Sequence, residues 1–240
     1  MAVRDVLVIV PALNEEESLP ALLDEVRRVA PWAGLLVVDD GSLDRTSEVV
    51  RGRGVPVLRH AVNLGVGAAL QTGFPYAIER GFSIGVQLDA DGQHDPGDLE
   101  ALVTPVREGR CDVAIGSRYV TRTRYRTPVT RRLGMLLFSG VVRLALGQRI
   151  TDTTSGYRAY GRRVMEVCQH DFPRDFPDAP LLIALGRRGF RFLEVPVQMR
   201  EREAGRSFYT LGKSLYYPYK NMLASLMALL RAPTDEERRS

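Results

Sequence analysis

Four short clusters of acidic, amide and hydroxyl residues each follow directly on an aliphatic run. They are Pro11-Ala12-Leu13-Asn14-Glu15-Glu16, Asp39-Asp40-Gly41-Ser42, Asp89-Ala90-Asp91-Gly92-Gln93 and Gly116-Ser117-Arg118. Asp, Asn, Gly and Ser favour turns and helix caps, so any one cluster is ordinary loop chemistry, and Ser42 and Asp44 read in part as caps. Four such strand ends on one sheet edge need more explanation. Like charges gathered there repel unless a cation or polyanion lies between them. Asp89 and Asp91 carry the sharpest signal, because side chains at i and i+2 of an extended segment share a side and can address one ion. Hard oxygen donors suit Mg2+ or Mn2+, and the Gln93 carbonyl can add a third ligand. Such an ion keeps waters and takes further ligands from substrate phosphates. Its expected chemistry is Lewis-acid neutralisation of a departing diphosphate.

Other readings of these residues meet local obstacles. The segment 89–100 has the length and the acidic first, third and last positions of an EF-hand loop, but His94 stands where its sharp turn demands Gly. Asp-x-Asp-Gly also occurs in phosphatases of the haloacid dehalogenase type, normally at the first strand and with a Lys downstream. The only lysines are Lys213 and Lys220, in the tail. A dinucleotide site would place Gly-x-Gly-x-x-Gly after the first strand, where glutamates crowd instead; Gly65 and Gly67 read as a helix entry.

The elements that position these clusters follow from periodicity. Aliphatic runs at 6–10, 35–38, 55–58, 84–88 and 113–115 alternate with helical patterns at 16–29, 44–51, 67–80 and 99–107. Short Val, Ile and Leu runs between helices predict an α/β domain with a doubly wound, mostly parallel sheet covered on both faces. Ligands of such sheets sit beyond the carboxyl ends of the strands, where the clusters lie. A late strand is expected at 190–197. Residues 1–210 read as one domain and 211–240 as a C-terminal amphipathic helix with a charged tail.

Composition narrows the class. Of 240 residues 45% are hydrophobic and 26% charged, which excludes a disordered or fibrous chain. A net charge of +4 is too small to imply nucleic-acid binding. Cys111 and Cys168 stand apart and read as reduced, packed thiols of a cytoplasmic protein. Arg118, Arg122, Arg124, Arg126, Arg131 and Arg132 form an arginine stretch without an acid. It reads as a phosphate and headgroup surface, against the alternative of a solvated basic face. Apolar segments at 133–146 and 211–230 are too charged to span a bilayer, with Arg143, Lys213 and Lys220 in them. Tyr216, Tyr217 and Tyr219 would anchor the second at an interface. Packing on the core or on a second subunit is the equal alternative.

In chain order, Val10-Pro11-Ala12-Leu13-Asn14-Glu15, Val37-Val38-Asp39-Asp40-Gly41-Ser42, Asp89-Ala90-Asp91-Gly92-Gln93 and Gly116-Ser117-Arg118-Tyr119 form a recognisable set. Asp152-Thr153-Thr154-Ser155-Gly156-Tyr157-Arg158 and Arg202-Glu203-Ala204-Gly205-Arg206-Ser207 complete it. The set resembles the family-2 glycosyltransferases of the GT-A fold, and within them the branch that acts on polyprenol phosphates. The resemblance implies that Pro11, Leu13, Asn14, Glu15, Val37, Asp39 and Asp40 line the nucleotide site. It implies that Asp89, Ala90, Asp91 and Gln93 form the metal and diphosphate site, and that Arg118, Arg132, Arg202 and Arg206 hold phosphates. Asp152 falls on the acceptor side, where it would orient or activate the acceptor. Two departures stand out. Leu13 replaces a common Tyr, and Phe208 replaces a Lys whose phosphate contact Arg206 is placed to supply.

The expected reaction is inverting transfer of a hexose from a GDP- or UDP-sugar to a polyprenyl phosphate, with Mg2+ or Mn2+. Attachment would be peripheral, on the cytoplasmic face of a membrane, directly or through a membrane-protein partner. A polysaccharide or small-molecule hydroxyl is the alternative acceptor, and a non-catalytic nucleotide-sugar-binding module the alternative class.

Overall fold

The computed structural model describes residues 5–120, 139–140, 142–144, 147–148, 150–173, 178–200 and 227. Its strands are β1 (Val6–Ala12), β2 (Gly34–Asp39), β3 (Val57–Arg59), β4 (Ile84–Gln87), β5 (Val113–Ser117), β6 (Arg158–Gly161) and β7 (Phe192–Pro196). They form one sheet in the order β3-β2-β1-β4-β6-β5-β7. Every pairing is parallel except those of β6, which runs antiparallel to both β4 and β5.

Helices α1 (Leu19–Val29), α2 (Thr46–Gly52), α3 (Val66–Glu79), α4 (Leu99–Arg107), α5 (Arg162–Cys168) and α6 (Ala179–Arg187) cover the sheet. The period-2 geometry of β1 splits its side chains between two core layers. Val6, Val8, Val10 and Ala12 pack with Leu22, Leu23 and Val26 of α1 and Leu102 and Val103 of α4. Leu7 and Ile9 pack on the other face with Leu70 and Phe74 of α3, Met165 of α5 and Leu182 of α6. Burial on both faces is why β1 reads as an unbroken aliphatic run. The helices show the complementary period: Leu19, Leu22, Leu23 and Val26 make one buried stripe, and Pro20 sits in the first turn, where its missing N–H costs nothing.

The parallel register brings the polar clusters to one rim. Ala12 pairs with Asp39, and Asp39 with Arg59. Ser117 pairs with Pro196. The doubly wound α/β architecture expected from the sequence is thus the observed one.

Three elements went unanticipated. Strand β6 is a four-residue segment, Arg-Ala-Tyr-Gly, too short and too mixed in polarity to announce itself. It is held by its neighbours, with Gln87 opposite Arg158 on one side and Ile115 opposite Arg158 on the other. Helices α5 and α6 follow it. Most of the helical segment expected at 211–230 and most of 133–146 lie outside the described residues, as do Arg122, Arg124, Arg126, Arg131 and Arg132. Cys111 and Cys168 are free and buried, and burial pushes their thiols up to about 11 and about 12. Among the described residues no helix is long and apolar enough to cross a membrane.

Close packing of α3 on β1 depends on Gly73, where a Cβ would lie 2.7 Å from Ile9 Cγ2. Gly73→Val should cost about 1–3 kcal/mol by overpacking. Gly52→Ala, which meets nothing within 4 Å, should be neutral or slightly stabilising. Denaturant midpoints of the two variants check this.

Candidate active site

The turns after β1 and β2 are stitched to each other. Asn14 N–H donates to Ser42 Oγ (2.9 Å), Leu43 N–H to Asn14 Oδ1 (2.8 Å), and Glu15 N–H to Thr46 Oγ1 (2.9 Å). Glu16 N–H donates to Asp44 Oδ2 (3.1 Å) and Arg45 N–H returns to Glu16 Oε2 (3.1 Å). Asn14 adopts φ 56°, a left-handed conformation that Asn tolerates better than most residues. Ser42 therefore serves the neighbouring turn and not the cap of α2. Asp44 divides its carboxylate between Glu16 and Thr46 N–H (2.9 Å).

Each acid after β2 has its own partners. Asp39 is wholly buried and accepts from Ser42 N–H (2.9 Å) and the Ser47 hydroxyl, with Arg59 Nε at 3.6 Å. Burial alone would raise its carboxyl, but the hydrogen bonds of Ser42 and Ser47 and the Arg59 charge outweigh it and hold it below the ordinary carboxylate range. Asp40 meets His60 Nδ1 at 2.7 Å and accepts from Leu64 N–H (2.9 Å) and Gly65 N–H (2.8 Å), which fixes the entry to α3. Gly41 between the acid pair and Ser42 has φ 79°, and a Cβ there would lie 2.6 Å from the Val62 carbonyl carbon. Only glycine fits that approach.

Of the other expected nucleotide residues, Glu15 is buried and accepts from Ser18 Oγ (2.5 Å), while Pro11 and Leu13 are half-buried. Val37 and Ala90 both place their side chains in the core layer under α1 and α4. The pleat of β2 turns Val37 inward and the turn after β4 buries Ala90, so only their backbones remain to face a ligand.

The turn after β4 is anchored from below. Asp89 accepts from Gln87 Nε2 (3.2 Å) and lies 3.1 Å from His94 Nε2. Burial would raise its carboxyl, but the His94 hydrogen bond and charge, the Gln87 amide and the Arg158 charge hold it below the ordinary value. Arg158 is 1% exposed and donates to the Thr153 carbonyl (2.8 Å), placing a permanent cation within the sheet. His94 stacks on Tyr157 at 4.9 Å, and its Nδ1 is buried without a hydrogen-bond partner. Asp91 accepts from Gln93 N–H (3.1 Å), which tightens the turn. The Gln93 carbonyl, expected as a metal ligand, accepts Arg200 N–H at 2.8 Å. One of its lone pairs is therefore already engaged.

A divalent cation suits these donors. Asp89 is kept ionised with 37% of its side chain exposed, and Gly156 leaves open the space beside it, where a Cβ would lie 2.9 Å from Asp89 Oδ2. Among the described residues no group of three or more His, Cys, Asp or Glu side chains is arranged to hold a metal. The chain would supply part of a coordination shell, with water and phosphate completing it.

Arg118 and Asp152 are bound to each other. The Arg118 guanidinium grips Asp152 through Nε to Oδ2 (2.7 Å) and Nη2 to Oδ1 (2.6 Å), and Arg118 N–H adds a bond of 3.1 Å. The side chains are 6% and 0% exposed. Thr154 Oγ1 accepts a further bond from Arg118 Nη2 (3.0 Å). A guanidinium expected to hold a phosphate thus neutralises the carboxylate expected to orient or activate the acceptor. The segment is held by Glu194 of β7, which accepts from Thr151 N–H (2.9 Å) and Asp152 N–H (2.8 Å). Arg132, Arg202, Arg206 and Phe208 lie outside the described residues.

Five residues that shape this site had no role assigned from the sequence: Gln87 and Glu194 stood in no motif, while His94, Gly156 and Arg158 stood within or beside motifs. A lone Glu in the apolar strand Phe192–Pro196 was the available signal for Glu194. Nothing local marked Gln87, and the roles of Gly156 and Arg158 became visible only with β6 in place.

The rim is thus an α/β sheet edge where acidic turns gather beyond the strand ends, with a glycine beside an Asp-x-Asp pair. The family model described as Glycosyl transferase family 2 matches residues 7–168. The chain belongs to that family and is a glycosyltransferase. A polyprenol monophosphomannose synthase of Mycolicibacterium smegmatis is 38% identical over 84% of this chain and 79% of its own. An undecaprenyl-phosphate mannosyltransferase of Micrococcus luteus is 36% identical over 84% of this chain and 86% of its own. In fold, glucosyl-3-phosphoglycerate synthase of Mycobacterium tuberculosis with phosphoglyceric acid superposes with a TM-score of 0.73 at 22% identity, over 96% of this chain and 82% of that one.

Two outcomes follow from this geometry. Asp152→Ala leaves Arg118 buried without its carboxylate and should destabilise the fold by about 3–5 kcal/mol, whereas replacing both residues by leucine should recover much of that loss. Chemical denaturation of the three variants checks it. Asp39 has a lowered folded pKa, so its contribution is complete above its unfolded value and is lost as pH falls through the folded one. Asp39→Asn should lower stability at neutral pH and flatten the decline below about pH 5, as read from melting temperature against pH.

Proposed function

We propose that this glycosyltransferase moves a hexose from a GDP- or UDP-sugar to the phosphate of a polyprenyl phosphate, with Mg2+ or Mn2+ held by Asp89 and Asp91. The sealed Arg118–Asp152 pair is the observation that carries the acceptor assignment. A hydroxyl acceptor must lose its proton to a base as it attacks. Asp152, wholly buried and bound through both oxygens to Arg118, is poorly disposed to take one. A phosphate monoester with a second pKa of about 6 is mostly dianionic at neutral pH, and its oxygen attacks unaided. The Mycolicibacterium and Micrococcus relatives, both named for polyprenyl-type acceptors, support the same assignment.

The residues then divide the task. Asn14, Glu15 and Asp39 frame the nucleoside side of the rim, with Asp40 and Gly41 fixing its far wall. When bound, the cation neutralises charge on the departing diphosphate. Asp89 and Asp91 place it, with Gln87, His94 and Arg158 holding Asp89 in position. The Arg118–Asp152 pair acts as a rigid buttress between β5 and the loop before β6. Bringing two anions together calls for cations on the acceptor side, and Arg132, Arg202 and Arg206 are assigned to that task. Peripheral association with the membrane that carries the acceptor is assigned to the arginine stretch and the 211–230 segment.

The test offers GDP- and UDP-hexoses with Mn2+ or Mg2+ to the enzyme, with a polyprenyl phosphate or the matching unphosphorylated polyprenol. Sugar should pass to the phosphate alone. Asp89→Ala should lower turnover by roughly 10²–10³-fold and abolish metal-dependent nucleotide binding. Transfer to the polyprenol or to a polysaccharide hydroxyl would overturn the acceptor assignment. Metal-independent turnover in Asp89→Ala would overturn the cation's.

A further inference from the structure

After β7 the chain does not leave the sheet but straps across the Asp89–Asp98 turn. Val197 N–H donates to the Ser117 carbonyl (3.2 Å), Gln198 N–H to Asp98 Oδ2 (2.7 Å) and Arg200 N–H to the Gln93 carbonyl (2.8 Å). Met199 forms a bridge pair with His94. The Arg200 guanidinium then closes the strap. It donates to both oxygens of Glu25 on α1, at 2.7 and 3.0 Å, and lies 2.7 Å from Asp95 Oδ1. Glu25 is 175 residues away in sequence. A fork that satisfies two carboxylates on different elements is a geometry only arginine supplies.

The metal turn is anchored without this contact. Asp89 has Gln87 and His94, Asp95 accepts from Gly97 N–H (2.8 Å), and the Tyr157 hydroxyl donates to the Asp95 carbonyl (3.2 Å). Val197 packs into the core, and beyond it the strap is tied through side chains by the Asp98 carboxylate, which accepts from Gln198 N–H, and by the Arg200 fork. Removing the guanidinium therefore loosens the strap more than the turn beneath it. From Arg200 the chain runs directly into Arg202 and Arg206.

We infer that Arg200 is a positioning residue for acceptor use: tied to Glu25 and Asp95, it fixes where the arginine-bearing segment after it begins relative to the metal turn. The inference rests on the polyprenyl-phosphate reading and deepens it, giving the acceptor half of the site a mooring on α1. Arg200 does not touch the acceptor; it acts through the chain that follows.

The experiment uses the full chain with a polyprenyl phosphate and the donor that the wild type uses. Arg200→Ala should raise the acceptor KM about tenfold, with Mn2+-dependent nucleotide binding within about twofold of wild type. Arg200→Lys, which keeps one charge but not the fork, should fall between. The deciding variant is Glu25→Gln. A mooring predicts an acceptor KM shifted in the same direction as Arg200→Ala. An Arg200 that itself binds the phosphate predicts an unchanged or lowered KM, since Glu25 would no longer compete for it, and that result overturns the inference. Hydrogen exchange read without substrate gives a second arm: the Gln198 and Arg200 amides should lose protection in both variants, and unchanged protection would also overturn it. Wild-type enzyme that transfers nothing to a polyprenyl phosphate sinks the acceptor reading itself. A wild type that transfers and an Arg200→Ala indistinguishable from it sinks only the mooring.

Discussion

A carboxylate carried to the end of a buried strand must be met by a donor or a cation, because an unpaired charge in that environment costs several kcal/mol. This constraint organises the whole rim. Asp39 is met by Ser42, Ser47 and Arg59, and Asp40 by His60 and two backbone N–H groups. Asp152 is met by Arg118, and Glu194 by the Thr151 and Asp152 backbone. The repulsion expected among gathered acids is thus relieved largely inside the chain, one acid at a time. A shared cation is not needed to explain why they sit together. What distinguishes the Asp-x-Asp turn is that Asp89 is kept ionised yet substantially exposed, beside a glycine that leaves room.

The same pairing rule shapes the chemistry. An acid bound through both oxygens to a guanidinium is a brace, and a rim built of braces suits a reaction that needs charge placed rather than protons moved. Transfer between two phosphate-bearing substrates is such a reaction. Its demands are rigid geometry and countercharge, which hydrogen-bonded turns and arginines provide at little reorganisation cost. The strap after β7 extends that logic, since it ties the late part of the chain to α1 through a single fork.

The antiparallel strand β6 is what joins these parts. It places Arg158 opposite Gln87 and Ile115, brings Gly156 against Asp89, and sets Asp152 beside Arg118. Without it the third and fourth polar clusters would end neighbouring strands with no buried cation between them.

Alternation of aliphatic runs with helical stripes is a local property, and it alone determined β1 to β5, α1 to α4 and the gathering of polar turns at one rim. Helix α4 was legible to its end residues, because its buried Leu99, Leu102 and Val103 keep helical spacing. Candidate chemistry at Asp39, Asp89, Asp91, Arg118 and Asp152 was equally visible, since strand-end acids and arginines are conspicuous in any α/β chain. Which of them pair with which was not. The Arg118–Asp152 grip joins residues separated by 34 positions, and β6 is a strand only because two others flank it. Val37 and Ala90 belong to the expected site by motif, while the pleat of β2 and the turn after β4 put their side chains in the core. Residue type and period fix which groups a rim contains; only the folded chain decides which charge neutralises which, because that depends on distances that no local pattern encodes.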